Sequence, residues 1–328
     1  MITAPRVCFF AHYDRDARLA SYVLHYLDRL IALDIAIVFV TVVPLGEDDL
    51  ATLRARCADV IVRANEGHDF GSWAAAYAKH GAGLTGDLLL ANDSVYGPIG
   101  PLAPIVKAEL AKGADVFGLI ESIDVEPHLQ SWFVWCRRDV HRSEAFRAVL
   151  GQRFAGMKKR AIIEGAEVGL TRALVAAGFT YSAAFSARDV NPIMRLRPYN
   201  PSHVLWEELI RDGRVPFLKV ELLRANPLSL TDVDRWREVV AEIEPDLVAP
   251  IADHLARVGE AGPGSRTLAA RMVDARRWIR RDYQARRIGA PTRMQEATTA
   301  VAYASAAVAG KITRTLGRWR RRVMSGGA

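Results

Sequence analysis

The stretch IAIVFVTVVP, from Ile35 to Pro44, decides the fold class of this chain. Its residues are apolar and largely β-branched, without the polar alternation of a strand that faces water on one side. A strand buried on both faces is typical of a parallel sheet covered by helices, and the proline marks its end. The stretch therefore predicts an inner strand of an α/β protein.

The flanking segments alternate between strand and helix patterns. Further apolar runs that suit strands lie at 6–11, 59–63, 87–91 and 115–121. Helical patterns occupy 19–31, 47–57, 72–80 and 102–113. Ser72 would be the N-cap of the third helix. Strands separated by helices of this length form right-handed βαβ units, so we predict an α/β fold with a mostly parallel, Rossmann-like sheet flanked by helices.

The rest of the chain divides by composition. Residues 131–140 suit a strand, 164–179 a helix, 181–185 a strand, and 200–213 a turn with a helix. Residues 231–258 are helical in pattern around Pro245, and a Gly/Pro-rich linker follows at 259–265. We therefore predict a body at 1–230, a helical segment and linker at 231–265, and a tail at 266–328.

The positive charge is concentrated in the tail. The net charge is +7, but residues 266–328 alone hold 15 Lys and Arg against 3 Asp and Glu, so the body is mildly acidic. The three cysteines are far apart, which excludes a disulfide framework and suits a reducing compartment. The start of the chain shows no secretory signal, and no apolar run is long enough to span a membrane. We therefore expect a cytoplasmic protein.

Polar clusters follow three of the predicted strands. They read HYDRD from His12, ANEGHDFGSW from Ala64 and NDSVYGP from Asn92. Open parallel sheets bind ligands beyond the carboxyl ends of their strands, so this placement indicates a binding site.

The second cluster suits an anionic ligand. Gly67 and Gly71 allow a close backbone approach, and the start of the next helix offers free N–H groups. Arg63 could pair with a diphosphate, and Asp69 could accept hydrogen bonds from a base or sugar, with Asn65 in the same loop. The alternative is a plain turn before a capped helix.

The third cluster holds one carboxylate. Asp93, between Asn92 and Ser94, could bind Mg²⁺ or Mn²⁺, which often take only one or two protein oxygens beside phosphate oxygens. The alternative is ordinary turn chemistry, because all three residues fold back on their own backbone.

Two later segments carry further candidates. His128, Gln130 and Ser131 begin a predicted strand that faces the same region, although His128 could be an ordinary loop histidine. Glu164 and Glu167 lie at a helix start, where either could be a general base or could simply favour the helix dipole.

Taken in order, these segments resemble the rhamnan synthesis F family of bacterial polysaccharide biosynthesis. The matching stretches are FFAHYD, RANEGHDFGSW, LLLANDSVYGP, HLQSWF, EVGLTRALVAAGF, NPSHVLWEELI and PFLKVELLRANP, between residues 6 and 227. The resemblance implies a GT-A-like glycosyltransferase that uses a nucleotide-sugar donor, typically dTDP-rhamnose-like, to extend a cell-surface glycan. The metal-binding acid motif of GT-A enzymes is often Asp-x-Asp, whereas this chain has only Asp93 at that place.

The resemblance also implies roles for the candidates. Asp93, with or without a metal ion, and Arg63 would hold the donor diphosphate, and His12, Tyr13 and Asp14 would bind the nucleotide. Glu167 would be the base of an inverting transfer, ahead of Glu164. His128 and Gln130, with Ser131, would line the acceptor side.

The basic tail indicates an interaction surface. Its two amphipathic helical patterns suit an anionic membrane, which agrees with transfer to a lipid-linked glycan at the inner face of the cell membrane. A solvated helix or a disordered end is the alternative. A nucleic-acid-binding protein is disfavoured by the acidic body, while an inactive GT-A-like module that binds a glycan or partner remains a second reading because of the single aspartate.

Overall fold

The computed structural model describes residues 2–123, 126–186, 200–228 and 230–263. Its strands are β1 Arg6–His12, β2 Ala36–Thr41, β3 Asp59–Val62, β4 Asp87–Asn92, β5 Val95–Tyr96, β6 Val116–Ser122, β7 His128–Leu129, β8 Phe133–Cys136, β9 Tyr181–Ser186 and β10 Leu218–Lys219. Its α-helices up to residue 176 are α1 Ser21–Ile31, α2 Glu47–Arg54, α3 His68–His80, α4 Ala103–Ala111, α5 Arg138–His141, α6 Glu144–Leu150, α7 Lys159–Ile162 and α8 Val168–Ala176. The later ones are α9 Pro201–Val204, α10 Trp206–Arg211, α11 Val220–Ala225, α12 Trp236–Ile243 and α13 Val248–Val258.

The main sheet is mixed but mostly parallel. Its order is β3-β2-β1-β4-β8-β6-β9, with the short β7 beside the end of β6. Strands β1 to β4 are mutually parallel, and only β7 and β8 run against the others. These strands and their flanking helices confirm the predicted α/β class.

The sheet reverses its direction of growth between two neighbouring strands. The chain moves outward from β1 through β2 to β3, and then returns to place β4 on the other side of β1. The loops after β1 and β4 therefore diverge at the carboxyl edge of the sheet, which creates a crevice for a ligand.

Both faces of the sheet are covered, as the opening stretch predicts. Ile37 and Phe39 of β2 belong to one apolar cluster, while Val38 and Val40 belong to the cluster on the opposite face. All four side chains are fully buried. The absence of polar alternation in this strand is thus explained by helices on both sides.

The helices after residue 230 extend the first of these clusters. Trp236, Leu247, Ile251 and Leu255 are buried in the same cluster as Phe39. The chain is helical from Val233 to Val258, interrupted near Pro245. The tail predicted over 266–328 lies outside the described residues. Over the residues that are described, no helix combines the length and apolar character needed to span a bilayer.

Three local predictions need correction. Helix α3 begins at His68, after Gly67 with a φ of 75°, so Ser72 lies inside the helix and is not its N-cap. The strand predicted over 131–140 ends at Cys136, because α5 begins at Arg138 and the Arg138 amide donates to Asp87. The helix predicted over 164–179 starts with a π-helical turn, Ile163–Glu167, between α7 and α8.

Candidate functional site

A cavity of about 450 Å³ lies at the carboxyl edge of the sheet. It opens where the loops after β1 and β4 diverge, the position at which open α/β sheets bind ligands. Its lining consists of His12, Tyr13, Val42, Asn65, His68, Asp69, Phe70, Ser72, Asp93, Ser94, Ser131, Lys159, Ile162, Ile163 and Glu167. It thus brings together residues of all three polar clusters and the predicted base.

Asp93 is held between the two diverging loops. Its Oδ2 atom accepts a hydrogen bond from the Tyr13 amide at 2.8 Å, and its carbonyl oxygen accepts one from the Tyr22 hydroxyl at 3.0 Å. Only 12% of its side chain is exposed. Burial raises the pKa of the Asp93 carboxyl well above its usual value, and the nearby Asp69 charge adds to the shift. The charged form of Asp93 is therefore disfavoured unless a positive charge enters the cavity.

The neighbours of Asp93 form its turn. The Asn92 Oδ1 atom accepts hydrogen bonds from the Ser94 amide at 3.1 Å and the Ser94 hydroxyl at 2.7 Å. Its Nδ2 atom donates to Asp69 Oδ2 at 2.8 Å, which ties the loop after β4 to α3. Asn92 is buried behind the cavity, whereas Ser94 and Asp93 line it. Asn92 thus forms the turn, while the adjacent Asp93 and Ser94 are accessible to a ligand.

Glu167 lies on the π-helical turn and faces the cavity. Its Oε1 atom accepts hydrogen bonds from both the amide and the hydroxyl of Ser131, each at 3.0 Å. Glu164, three residues earlier, is exposed and forms an ion pair with Arg160 at 2.7 Å. Of the two acids that the sequence left as candidates, Glu167 is the one in the cavity.

His12 and Tyr13 present different surfaces to the cavity. The His12 ring is buried, and its Nδ1 atom shares a hydrogen bond with the Thr41 hydroxyl at 3.0 Å. Burial lowers the pKa of His12 to about 4, so the imidazole is neutral at pH 7. Tyr13 is 53% exposed, which leaves an aromatic face available to a ligand.

Two lysines near the cavity were missed by the sequence reading. Lys159 lines it from the start of α7. Lys219 of β10 pairs with Val95 of β5, and its ammonium lies 5.1 Å from the centre of the Trp132 ring. Burial lowers the pKa of Lys219 to about 8, although the charge of Glu167 favours its protonated form. Neither lysine lies in a polar cluster of the sequence, so no local pattern could have found them.

His128 and Gln130 lie outside the cavity lining. The His128 ring is buried and its Nδ1 atom is 2.7 Å from the carbonyl oxygen of Glu126. The Gln130 amide donates to Asn200 Oδ1 at 2.9 Å and accepts from the Trp132 indole at 2.7 Å. Gln130 therefore helps to hold the segment that carries Ser131, whereas the His128 ring bonds within its own turn.

The loop after β3 contains residues that support it from behind. The Arg63 guanidinium donates to the Glu66 carbonyl at 2.7 Å and lies outside the cavity lining. A Cβ atom on Gly71 would lie 2.2 Å from that carbonyl oxygen, and one on Gly67 would lie 2.3 Å from Phe154 Cβ. These glycines are required by packing inside the protein, and Asn65 and Asp69 are the predicted members of the loop that reach the cavity.

Asp14 points away from the cavity into an ion pair. Its Oδ2 atom accepts a hydrogen bond from Arg257 of α13 at 2.8 Å, and its side chain is only 4% exposed. Asp14 therefore supports the loop after β1, while Tyr13 carries the surface that a ligand can reach.

The donor atoms of the cavity fit a divalent cation shared with a ligand. Across the residues that the structure describes, no three His, Cys, Asp or Glu side chains form a metal-binding group. Asp93 and Asp69 offer carboxyl oxygens, and burial raises the pKa of both groups, so a cation would favour their charged forms. Mg²⁺ and Mn²⁺ bind through one or two protein carboxylates when phosphates supply the remaining oxygens. The residues present therefore suit such an ion only together with a phosphorylated ligand.

Known proteins show only distant similarity to this chain in structure. No curated protein matches the chain. Among solved structures, the mannosyltransferase PcManGT of Pyrobaculum calidifontis, in complex with GDP-Man and Mn²⁺, is 13% identical, with 94% of this chain and 87% of that chain covered and a TM-score of 0.37. The glycosyltransferase GlyE of Streptococcus pneumoniae is 15% identical, with 81% and 66% covered and a TM-score of 0.40. Both of these distant similarities are to glycosyltransferases.

The sequence also matches a family model. The model described as rhamnan synthesis protein F matches residues 37–254, which is about two thirds of the chain. The matched region contains α3, the Asn92–Ser94 turn, Ser131 and Glu167. The chain therefore belongs to the rhamnan synthesis protein F family and is a glycosyltransferase of the nucleotide-sugar type.

Proposed function

We propose that this chain is a rhamnosyltransferase. It transfers the sugar from a dTDP-rhamnose-like donor to a hydroxyl group of a growing polysaccharide or lipid-linked glycan. The observation that carries the proposal is the shared cavity of Asp93 and Glu167 at the point where the loops after β1 and β4 diverge. One acid suits the donor diphosphate and the other suits the acceptor hydroxyl.

Glu167 is the proposed general base. Its carboxylate removes the proton from the acceptor hydroxyl as that oxygen attacks the anomeric carbon, and the bond from that carbon to the diphosphate oxygen breaks. Attack opposite the leaving group inverts the configuration. The two hydrogen bonds from Ser131 fix one carboxylate oxygen and leave the other to face the substrate.

The donor would lie along the loops after β1 and β4. Tyr13 offers an aromatic face to the base, and Lys159 offers a positive charge to the diphosphate. A divalent ion between Asp93 and the diphosphate, with Asp69 beside it, would neutralise charge on the leaving group. Arg63, Gly67, Gly71 and Asn92 support these loops from behind, and Gln130 supports the segment of Ser131 on the acceptor side.

A matched pair of glutamates tests the proposal. Glu167→Gln keeps the size of the side chain and an oxygen that can accept from Ser131, but it removes the base, so we expect kcat to fall roughly 100- to 10,000-fold. Glu164→Gln changes an exposed acid three residues away and should leave kcat within about twofold of wild type, as surface changes usually do. The measurement is the initial rate of transfer from dTDP-rhamnose to a glycan acceptor.

The same assay separates an enzyme from an inactive binding module. The single aspartate between Asn92 and Ser94, whose side chains bond to each other, is the observation that favours such a module. A module would bind dTDP-rhamnose or glycan without transfer or donor hydrolysis in the wild-type chain. Near-normal transfer by Glu167→Gln would contradict the base assignment while leaving the enzyme class intact.

We propose in addition that residues 266–328 hold the enzyme at the inner face of the cell membrane. The support is the basic composition of this segment, because each Lys or Arg near an anionic surface contributes about 1 kcal/mol. Sedimentation with vesicles of phosphatidylglycerol should fall sharply for a chain ending at residue 265. Equal sedimentation of both chains would contradict the idea, and we expect no specific binding of nucleic acid.

A further inference from the structure

We propose that Arg257 is a positioning residue for the donor cavity, through which helix α13 sets the conformation of the loop Tyr13–Arg18. The proposal rests on the proposed function, because that loop carries Tyr13 to the donor side of the cavity. It assigns a role in the active site to a helix whose own residues lie outside the cavity lining.

The contact between α13 and this loop is a buried bidentate ion pair. Arg257 Nη1 and Nη2 lie 3.1 and 2.8 Å from Asp14 Oδ1 and Oδ2, and Nη1 is also 2.8 Å from Asp16 Oδ2. Bidentate pairs of this kind fix orientation as well as distance. The side chain of Asp14 is 4% exposed, so removing the guanidinium would leave a buried carboxylate without its counter-charge.

Asp14 in turn determines the path of the loop. Its Oδ1 atom accepts a hydrogen bond from the Asp16 amide at 2.8 Å and a longer one from the Arg18 amide at 3.4 Å. The preceding amide, that of Tyr13, donates to the Asp93 carboxylate at 2.8 Å. A chain of contacts therefore runs from α13 through Asp14 to the carboxylate proposed to face the donor diphosphate.

The same helix also reaches β5, the strand that follows the turn after β4. The His254 Nδ1 atom is 2.7 Å from the hydroxyl of Tyr96, which follows the Asn92–Ser94 turn. The Tyr22 ring packs against both the Tyr96 and His254 rings, and the Tyr22 hydroxyl donates to the Asp93 carbonyl. Helix α13 thus contacts both sides of the crevice at which the sheet reverses direction.

Charge distinguishes the two side chains of α13. Burial, together with the positive charge of Arg257, lowers the pKa of His254 to about 4, so His254 is neutral at pH 7. The positive charge opposite Asp14 therefore comes from Arg257. Arg257, three residues after His254 on α13, is therefore the side chain whose loss should disturb the loop Tyr13–Arg18.

The chain offers a matched control. Arg237 of α12 also forms a bidentate pair, with Glu260, at 2.8 Å for both contacts. This pair joins two parts of the same C-terminal segment and touches neither loop of the cavity. Arg257→Met and Arg237→Met therefore each break one bidentate pair, and Arg257→Lys restores the charge without the fork.

The experiment uses the full chain, with dTDP as the binding probe and dTDP-rhamnose as the donor. Arg257→Met should raise the dTDP dissociation constant and the donor KM on the order of tenfold, while kcat changes less than about threefold, because the catalytic base is untouched. Arg237→Met should leave all three within about twofold of wild type. Arg257→Lys should recover part of the loss, and melting temperatures of all variants identify any general destabilisation.

Hydrogen exchange separates failure of this proposal from failure of the proposed function. If the wild-type chain binds no dTDP, the donor assignment fails, and exchange at the amides of residues 13–18 still tests the positioning role. Faster exchange there in Arg257→Met than in Arg237→Met supports the proposal. Equal exchange in the two variants, or equal effects on dTDP affinity and donor KM where dTDP binds, overturns it. Should Arg257→Met not fold, Arg257→Lys is compared with Arg237→Lys by the same criteria.

Discussion

Two loops that meet at the cavity are held in opposite ways. The loop after β3 is supported mainly by its own residues, because Arg63 donates to the Glu66 carbonyl three positions away and the Gly71 amide donates to the Gly67 carbonyl. The loop after β1 is supported by Arg257, 243 residues away from Asp14. One loop is thus encoded locally, and the other depends on the complete fold of the body.

This difference shows what a polar cluster in a sequence can reveal. In both loops some polar residues line the cavity and others hold the backbone. Tyr13 lines the cavity while Asp14 supports its loop, and Asp69 lines the cavity while Arg63 supports the other loop. A cluster therefore locates a site at a strand end, but the role of each member depends on which partner lies behind it.

The largest expected effect comes from Asp93, whose carboxylate accepts a hydrogen bond from the Tyr13 amide in the loop after β1. Asp93→Asn keeps an oxygen that can accept from the Tyr13 amide but removes the charge. We expect the loop to stay in place and transfer from dTDP-rhamnose to fall roughly 100-fold or more, because charge stabilisation of the leaving group is lost. The measurement is kcat/KM, with hydrogen exchange at residues 13–18 as the check on the loop.

Asp48→Asn, in the exposed first turn of α2, is the matched control and should leave transfer unchanged. If Asp93→Asn retained wild-type transfer, the charge of Asp93 would have no role in the reaction. If Asp93→Asn also raised hydrogen exchange at residues 13–18, the Asp93 charge itself would be needed to hold the loop after β1.

The next effect tests the locally held loop through stability. A Cβ atom on Gly71 would lie 2.2 Å from the Glu66 carbonyl oxygen, which is backbone and cannot rotate away. Gly71→Ala should therefore lower the free energy of unfolding by about 2 kcal/mol, as overpacked positions do. Gly169→Ala, in α8, meets its nearest atom at an ordinary 3.4 Å and should raise stability by up to about 1 kcal/mol through helix propensity. Urea unfolding of the two variants checks the opposite signs, and a gain for both would contradict the local support.

Much of the fold followed from local patterns in the sequence. The unbroken apolar run of β2 indicated burial on both faces, and the packing of Phe39 and Val38 into opposite clusters confirms it. The start of α3 was predicted four residues too late, also for a local reason. Ser72 is a residue type that often caps helices, whereas the helix in fact begins at His68, after Gly67 with its positive φ.

Most of the predicted residues that line the cavity follow the end of a strand, and Glu167 lies at the predicted start of a helix. Asp93, Tyr13 and Asp69 follow strands and line the cavity, as the ligand rule for open sheets predicts. Lys219 reaches the region through the pairing of β10 with β5, and Arg257 through the packing of α13, and neither contact leaves a pattern in nearby residues. Long-range packing chooses such partners, so a single sequence cannot name them.

The smallest expected effect probes the remote support by pH. Burial alone would raise the pKa of the Asp14 carboxyl, but the hydrogen bonds and charge of Arg257, with the amides of its own loop, outweigh burial and hold the pKa below its usual value. A lowered folded-state pKa means that this stabilisation is complete above the unfolded pKa of about 3.9 and is lost as the pH falls through the folded value. The free energy of unfolding of Asp14→Asn should therefore be about 1.5 kcal/mol below that of wild type at pH 7 and at pH 5. This gap between the two free energies should narrow from pH 4 downward. Urea unfolding across this range measures the gap, with Asp48→Asn as the exposed control. A gap that stays constant down to pH 3, or widens on acidification, would show that the loop after β1 does not depend on the charge of Asp14, and the contrast between a locally and a remotely held loop would then rest on packing alone.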